Sequence, residues 1–403
     1  MPKEKNLSPE VLIKELGIEG LCRTAEEYYS SMTCTKGVRA KPFAEFEHAP
    51  VSLVKLGLLL EGLRLGKSMR VLDFGAGTCW LSRALWQMGV KPIALDPSET
   101  ALKIGQEQFK GAVCAGGEGY EPEFMVFDGR RIELDDESVD RISCFDSFHH
   151  VPNPEEILGE FKRVLTKDGL IGFCEPGPGH HSSHHSQFEM REKRVLEKDV
   201  YPDRLFEYAR SLGFTGFFAK PYLNVQGEFS FSQYKRLLKY KYFPPLSGIV
   251  RLWKFFYPPL AYNPVFFLGK GKPLPDSRSE KGLSFTLDEL PARMECKSGL
   301  KHEITLKLHN TGSARWLAHN WVDVGVVKLG AHLLDHKGDC LDWDWLRVDL
   351  PHDMEPGDAM EMACEMIFTE TGDYLLQLDM VSENICWFGD KTGYCPSVRV
   401  HVV

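Results

Sequence analysis

Four groups of residues in this 403-residue chain have the types and spacing for chemistry. Gly75 and Gly77 follow the apolar run Val71-Leu72-Asp73-Phe74, and the lack of side chains there lets a nucleotide or amino-acid ligand approach the backbone closely. Asp96 ends the next apolar run about twenty residues on, where a carboxylate can accept both hydroxyls of a ribose. Asp128, in Phe127-Asp128-Gly129, ends the third run and could hold an adenine amino group. His149 and His150 follow the fourth run, and His180, His181, His184 and His185 follow the fifth. A histidine at that edge suits a general base that removes the proton of a hydroxyl acceptor.

Each group also has a plainer reading. The aspartates could be helix caps and turn formers, and His149 and His150 could pack under a helix with their nitrogens on backbone groups. Trp80 stands where a dinucleotide fingerprint carries its third glycine, which favours a cofactor smaller than a pyrophosphate-bearing one. If residues 180–189 are helical, His180 and His184 share a face, as do His181 and His185 with Glu189 beyond, a spacing compatible with a metal. Ser182 and Ser183 beside Pro176-Gly177-Pro178-Gly179 suit a loop at least as well, so no metal site is assigned.

The elements that must position these residues alternate between two periods. Arg70 to Phe74, Lys91 to Leu95, Arg141 to Phe145 and Leu170 to Cys174 read as strands, with a weaker one at Phe124 to Phe127. Leu81, Ala84, Leu85 and Met88, and later Ile157, Leu158, Phe161, Val164 and Leu165, recur at helical spacing between them. The alternation predicts an α/β, Rossmann-like doubly wound sheet, mostly parallel, with its ligand edge where the strands end. Two further strands are expected at Phe214 to Leu223 and Pro264 to Leu268, separated by a basic, aromatic insertion over 226–262. Beyond it helical periodicity gives way to short alternating segments with turn signals, which predicts an all-β antiparallel sandwich. The expected organisation is a helical lid over 1–50, a cofactor domain over 51–272, a polar linker over 273–281 and the sandwich over 282–403.

The net charge of −9 argues against a duplex nucleic-acid surface. No apolar run approaches the roughly 18 residues that span a bilayer, and the N-terminus has no apolar leader. The eleven scattered cysteines read as reduced thiols of a cytoplasmic protein, with Cys386 and Cys395 the pair that could bridge a hairpin.

The strings VLDFGAGTCWLSRAL, IALDPS, FDG and DRISCFDSFHHVPNPEEILGEFKRVLTKDGLIGFCEPG, taken in order, resemble the motifs of class I S-adenosylmethionine-dependent methyltransferases, over roughly residues 65 to 225. The resemblance implies S-adenosylmethionine as cofactor, with Asp73, Gly75 and Gly77 around its methionine part, Asp96 and Pro97 at the ribose, Asp128 and Gly129 at the adenine, and Phe145 on the sulfonium side. Tyr29, beside Tyr28 in the N-terminal segment, would close over the methionine end. EPGPGHHSSHHSQFEM and RVLEKDV resemble methyltransferases of bacterial polysaccharide synthesis, which implies a sugar hydroxyl as acceptor with this loop at its border; by their place after the strands, His149, His150 and His181 are the candidate bases. HNTGSARW and GDYLLQLDMVSENICWFGD are similar to Ig-like sandwich modules appended to bacterial glycan-handling proteins.

The expected function is O-methylation of a sugar hydroxyl in a glycan or sugar nucleotide. Methylation of a non-sugar small molecule beside a purely structural sandwich is the alternative, and a non-catalytic binding protein is the second. The insertion could hold a nucleotide sugar, rest on a membrane surface or serve as a buried lid. Trp316, Trp321, Trp343, Trp345 and Trp387 among acidic residues suit carbohydrate recognition, or simply a sandwich core.

Overall fold

The computed structural model describes residues 6–66, 69–114, 121–221, 231–232, 235, 264–271, 275–318 and 323–403, so the proposed insertion lies almost wholly outside the described residues. Contacts divide the chain into two units, Met1–Pro273 and Leu274–Val403.

The first unit is built on one mixed sheet of seven strands: β1 (Arg70–Phe74), β2 (Lys91–Asp96), β3 (Glu123–Val126), β4 (Val139–Phe145), β5 (Leu165–Cys174), β6 (Gly216–Lys220) and β7 (Val265–Gly269). Their order is β3-β2-β1-β4-β5-β7-β6. The first five are parallel, and β7 runs antiparallel between β5 and β6. Strand order reverses between β1 and β4, which leaves a crevice at their carboxyl ends for a ligand.

Alternation along β1 explains the two covered faces. Val71 joins a buried cluster with Leu59 and Leu63 of α3 (Ala49–Leu63) and Leu81 and Leu85 of α4 (Trp80–Gln87). Leu72, one residue on, joins the opposite cluster with Ile157, Leu158 and Phe161 of α6 (Pro154–Val164) and Leu205 of α8 (Pro202–Ser211). Each fully buried leucine or isoleucine contributes about 1.5–3 kcal/mol, so a one-residue slip of β1 is strongly disfavoured. The strand expected at Phe124–Phe127 is Glu123–Val126, and the one expected at Phe214–Leu223 is described as Gly216–Lys220, residues 222–223 lying outside the described residues.

The second unit is rich in antiparallel strands. One sheet pairs β13 (Ala359–Ile367), β10 (Lys301–Asn310) and β8 (Phe285–Asp288). The other runs β12 (Cys340–Asp349), β11 (Val327–Asp335), β14 (Gly372–Ser382), β16 (Ser397–Val402) and β9 (Arg293–Cys296), with the short β15 (Cys386–Trp387) on β14. Leu306, Leu308, Met362 and Cys364 of the first sheet share one buried cluster with Leu329, Leu376, Leu378 and Val398 of the second.

One expectation needs correction here. Residues 275–281 are not a free linker: Ser277 is fully buried, its hydroxyl donating to the Gly325 carbonyl (2.6 Å) and accepting from the Leu317 amide (2.9 Å). A polar, proline-bearing composition reads as solvated, but here the serine satisfies backbone groups that the neighbouring strands leave unpaired. Cys386 and Cys395 are both free thiols; Cys386 pairs through β15 with Ser382, whereas the Cys395 sulfur lies 3.5 Å from the Leu378 carbonyl, farther along β14.

Candidate cofactor crevice and histidine cluster

The glycine turn after β1 is tied to β2: the amides of Gly75 and Ala76 both donate to the Leu95 carbonyl (2.8 and 3.0 Å). Gly75 has φ +70°, and a Cβ on it would lie 2.4 Å from the Ser147 Cβ; one on Gly77 would lie 2.9 Å from the Tyr29 hydroxyl. The turn therefore packs so closely against Ser147 and Tyr29 that only glycine fits at either position. Ser147, at its lip, has a buried hydroxyl with no hydrogen-bond partner among the described residues, which marks a polar group awaiting a ligand.

Asp96 is buried, and its two oxygens accept from the Gly77 amide (2.7 Å) and the Ser98 amide (2.8 Å), leaving a lone pair on each. Burial pushes its carboxyl up to about 6. Pro97, half-buried, carries the chain into α5 (Glu99–Gln106). Asp128 is exposed and accepts from the amides of Arg130 (2.7 Å) and Arg131 (2.9 Å), holding the turn at Gly129. Phe145 stands edge-on to Trp80 with ring centroids 5.1 Å apart. Asp73 departs from the role implied by resemblance: its carboxylate is buried against the hydroxyls of Ser82 (2.6 Å) and Ser143 (3.4 Å), so it braces the turn from below.

A roof covers this crevice. Helix α1 (Pro9–Ser30) brings Ile18 and Cys22 within 2.5 and 2.8 Å of where a Gly129 Cβ would stand, and Tyr29 over Gly77. Glu26 fastens the helix to the start of α5, accepting from the Ser98 hydroxyl (2.7 Å) and the Thr100 amide (3.1 Å).

The histidines are organised by carboxylates that sequence reasoning missed. Glu175, the first residue after β5, is buried and accepts the amides of Ser147 (3.0 Å), Phe148 (2.8 Å) and His149 (3.2 Å), together with the His149 Nδ1 (2.8 Å). The His149 imidazole is buried, and loss of solvation pushes it down to about 4, so it is neutral with its proton on Nδ1. Its Nε2 faces Glu197 at 3.7 Å. His150 lies against His149 with centroids 3.9 Å apart and ring planes tilted by 46°, and donates from Nδ1 to the Leu196 carbonyl (2.5 Å). His180 reaches Glu197 with Nε2 at 2.5 Å. His181 stands apart, its amide and Nδ1 both on Asp199 (2.9 and 3.0 Å).

The helical alignment considered for residues 180–189 does not occur. Residues His180–Ser182 form a single 3-10 turn, Ser183 is extended, and α7 (His184–Phe188) begins only afterwards, capped by the Ser183 hydroxyl. His184 and His185 are exposed. A signal for Glu175 was present, since it follows β5 as Asp96 closes β2. Nothing in the spacing linked Glu197, two residues before Asp199 in a strandless stretch, to His149.

Residues 72–173 match the methyltransferase domain family. Demethylmenaquinone methyltransferase of Clavibacter sepedonicus is 33% identical over 106 residues, 26% of this chain and 40% of that protein. Ubiquinone biosynthesis O-methyltransferase of Glaesserella parasuis is 29% identical over 105 residues, 25% of this chain and 43% of that protein. The chain thus spans less than half the length of these curated relatives. Among solved structures, Haemonchus contortus phosphoethanolamine N-methyltransferase 2 in complex with S-adenosyl-L-methionine is similar at 16% identity and a TM-score of 0.37, over 67% of this chain and 60% of that one. The glycine turn, the partnerless Ser147 hydroxyl and the buried Asp96 fit S-adenosylmethionine, the cofactor that the matched domain implies, whose sulfonium supplies an electrophilic methyl group. Residues 72–173 match a methyltransferase domain built on a Rossmann-like mixed sheet, and the cofactor of such a domain is S-adenosylmethionine.

Proposed function

We propose that this chain transfers the methyl group of S-adenosylmethionine to a hydroxyl oxygen, with a sugar of a glycan or sugar nucleotide as acceptor. In such a transfer the oxygen attacks the methyl carbon in line, the carbon–sulfur bond breaks with its electron pair left on sulfur, and the hydroxyl proton must leave. One observation carries the reading: the His149, His150 and Glu197 cluster, oriented by Glu175, begins two residues after the Ser147 that lines the cofactor turn. Neutral imidazoles beside a carboxylate at that edge suit a hydroxyl acceptor, which must be polarised, better than an already nucleophilic amine.

The sugar class is supported by the motifs after β5 and by the second unit, which we read as an Ig-like sandwich that recognises glycan. Trp343 is half-exposed on β12 between Asp342 and Asp344, and lies flat against buried His332 with centroids 3.9 Å apart. Trp316, by contrast, is a core residue, Trp345 packs on Phe368, and Trp321 lies outside the described residues. No helix among the described residues is long and apolar enough to cross a membrane. We place the reaction in the cytoplasm, where the eleven free thiols stay reduced. The names of the curated relatives favour a second reading, a phenolic hydroxyl or ring carbon of a quinone precursor.

Radiolabelled methyl transfer separates these. Incubation with S-adenosylmethionine and panels of sugar nucleotides, bacterial glycans and quinone precursors is expected to label a sugar. Label confined to a quinone precursor would favour the second reading, and no cofactor binding at all would refute both. His149→Ala or His150→Ala is expected to lower turnover about a hundredfold with cofactor affinity kept, as for loss of a group acting in the transition state. His181→Ala, remote from the cluster, is expected to do less.

A further inference from the structure

We propose that the His149, His150 and Glu197 cluster binds one divalent transition-metal ion. A ligand atom from each of the three side chains lies within 4.8 Å of the other two, and the group sits where β4 ends, roofed by the segment that follows α7. Binding stands by itself; only the ion's role, polarising an acceptor hydroxyl, rests on the methyl-transfer reading.

The hydrogen bonds around His149 carry the inference. Glu175 accepts three backbone amides, so it is the acceptor toward His149 Nδ1 as well, and that nitrogen carries the ring proton. The remaining nitrogen, Nε2, then presents a lone pair toward the Glu197 carboxylate across 3.7 Å. That gap is too long for a hydrogen bond, and the same Glu197 oxygen is already bonded to His180 Nε2, so two lone pairs face each other, a contact that a cation between them would turn attractive. Ions of this class take imidazole nitrogens at about 2.0–2.1 Å and carboxylate oxygens at about 2.0–2.2 Å, so the two ligands need draw together only slightly. A carboxylate that fixes the far nitrogen of a ligating histidine is the usual support of such sites, and Glu175 does this from a buried, fully hydrogen-bonded position. The Leu196 carbonyl takes the proton-bearing Nδ1 of His150, which leaves the Nε2 of that ring as its lone-pair nitrogen. Two imidazoles and one carboxylate favour zinc, iron, cobalt or manganese over magnesium or calcium. His180 holds the Glu197 carboxylate through its own Nε2 and so positions that ligand.

Untagged full-length protein, stripped with a chelator and dialysed, is titrated with Co2+, Zn2+ and Mn2+ by calorimetry, with Co2+ uptake followed by visible absorption. Wild type is expected to take up one ion that Glu197→Gln loses, with affinity down at least tenfold, and Glu175→Gln is expected to weaken the same ion ten- to a hundredfold. A second group, His332, Asp379 and Cys395 in the second unit, can hold an ion of its own, so the readout is the one ion that differs between wild type and Glu197→Gln. Circular dichroism checks folding. If Glu197→Gln does not fold, the half-exposed His150→Gln replaces it. Ion uptake equal in wild type and these variants, or none in wild type, overturns the proposal. S-adenosylmethionine binding is measured on the same samples: cofactor binding without the ion leaves methyl transfer standing, and ion binding without cofactor removes methyl transfer alone.

Discussion

Replacing Asp96 with asparagine tests the crevice at its most constrained point. The carboxylate gives one lone pair of each oxygen to a backbone amide, Gly77 on one side and Ser98 on the other, so each oxygen retains one for a ribose hydroxyl. In asparagine one of those oxygens becomes an NH2. Whichever way the amide turns, that NH2 meets a backbone N–H, a loss present with and without cofactor that largely cancels in the affinity. The loss that does not cancel is one hydrogen bond from ribose to a charged acceptor, worth about 1.5–3 kcal/mol. S-adenosylmethionine should therefore bind Asp96→Asn about 10- to 150-fold more weakly in calorimetric titration. The pH dependence supplies an internal control. Burial raises the Asp96 pKa to about 6 in the free protein, and the cofactor selects the ionised form, so wild-type affinity is full above that pH and falls below it by up to about tenfold per unit. The asparagine variant has no such group to titrate and should be flat from pH 7 to 5. Affinity within threefold of wild type, or an unchanged pH profile in the variant, would refute this account of the ribose site.

Gly75→Ala should destabilise the first unit by about 2–4 kcal/mol in urea unfolding, because a left-handed φ and a Cβ 2.4 Å from Ser147 act together. Glu175→Gln keeps shape but turns an NH2 toward a ring of donors; about 2–4 kcal/mol of stability and about a hundredfold in turnover should be lost, with cofactor affinity little changed. Ser277→Ala should cost about 1–3 kcal/mol in the second unit by thermal unfolding, since it strands the Gly325 carbonyl and the Leu317 amide; no effect would mean that residues 275–281 are a linker after all.

The parallel core was legible because its signal is local. Val71 and Leu72 face opposite helices, and a near-continuous apolar run of that length, closed by Gly75, has few other solutions. The acidic residues at strand ends were legible for the same reason, though Asp73 shows the limit. Its place in the run says that it reaches the edge, while Ser82 and Ser143, nine and seventy residues away, decide which way it turns. The histidine cluster was half legible. His149 and His150 are adjacent in sequence, but Glu197 meets them only because the Lys198 amide bonds to the His149 carbonyl (3.2 Å) and the Val200 amide to the Pro176 carbonyl (3.0 Å), pairings that no period announces. Ser277 misled for the opposite reason: its neighbours are polar, and its partners lie 40 and 48 residues downstream.

Helix α1 is held at both ends by parts of the same machinery. Near its start, Leu7 exchanges two hydrogen bonds with the Gln187 side chain (2.8 and 2.9 Å), and Leu12 and Leu21 pack on Met190 and Leu196, the neighbour of Glu197. Near its end, Glu26 grips the first turn of α5. Between them the helix breaks at Gly17, whose backbone is left-handed (φ 63°). One beam therefore spans both the adenosine berth and the proton-handling corner, with a joint partway along it. On the proposed reading, displacing this beam to exchange the cofactor would also shift the wall beside His149, and loading would be coupled mechanically to turnover.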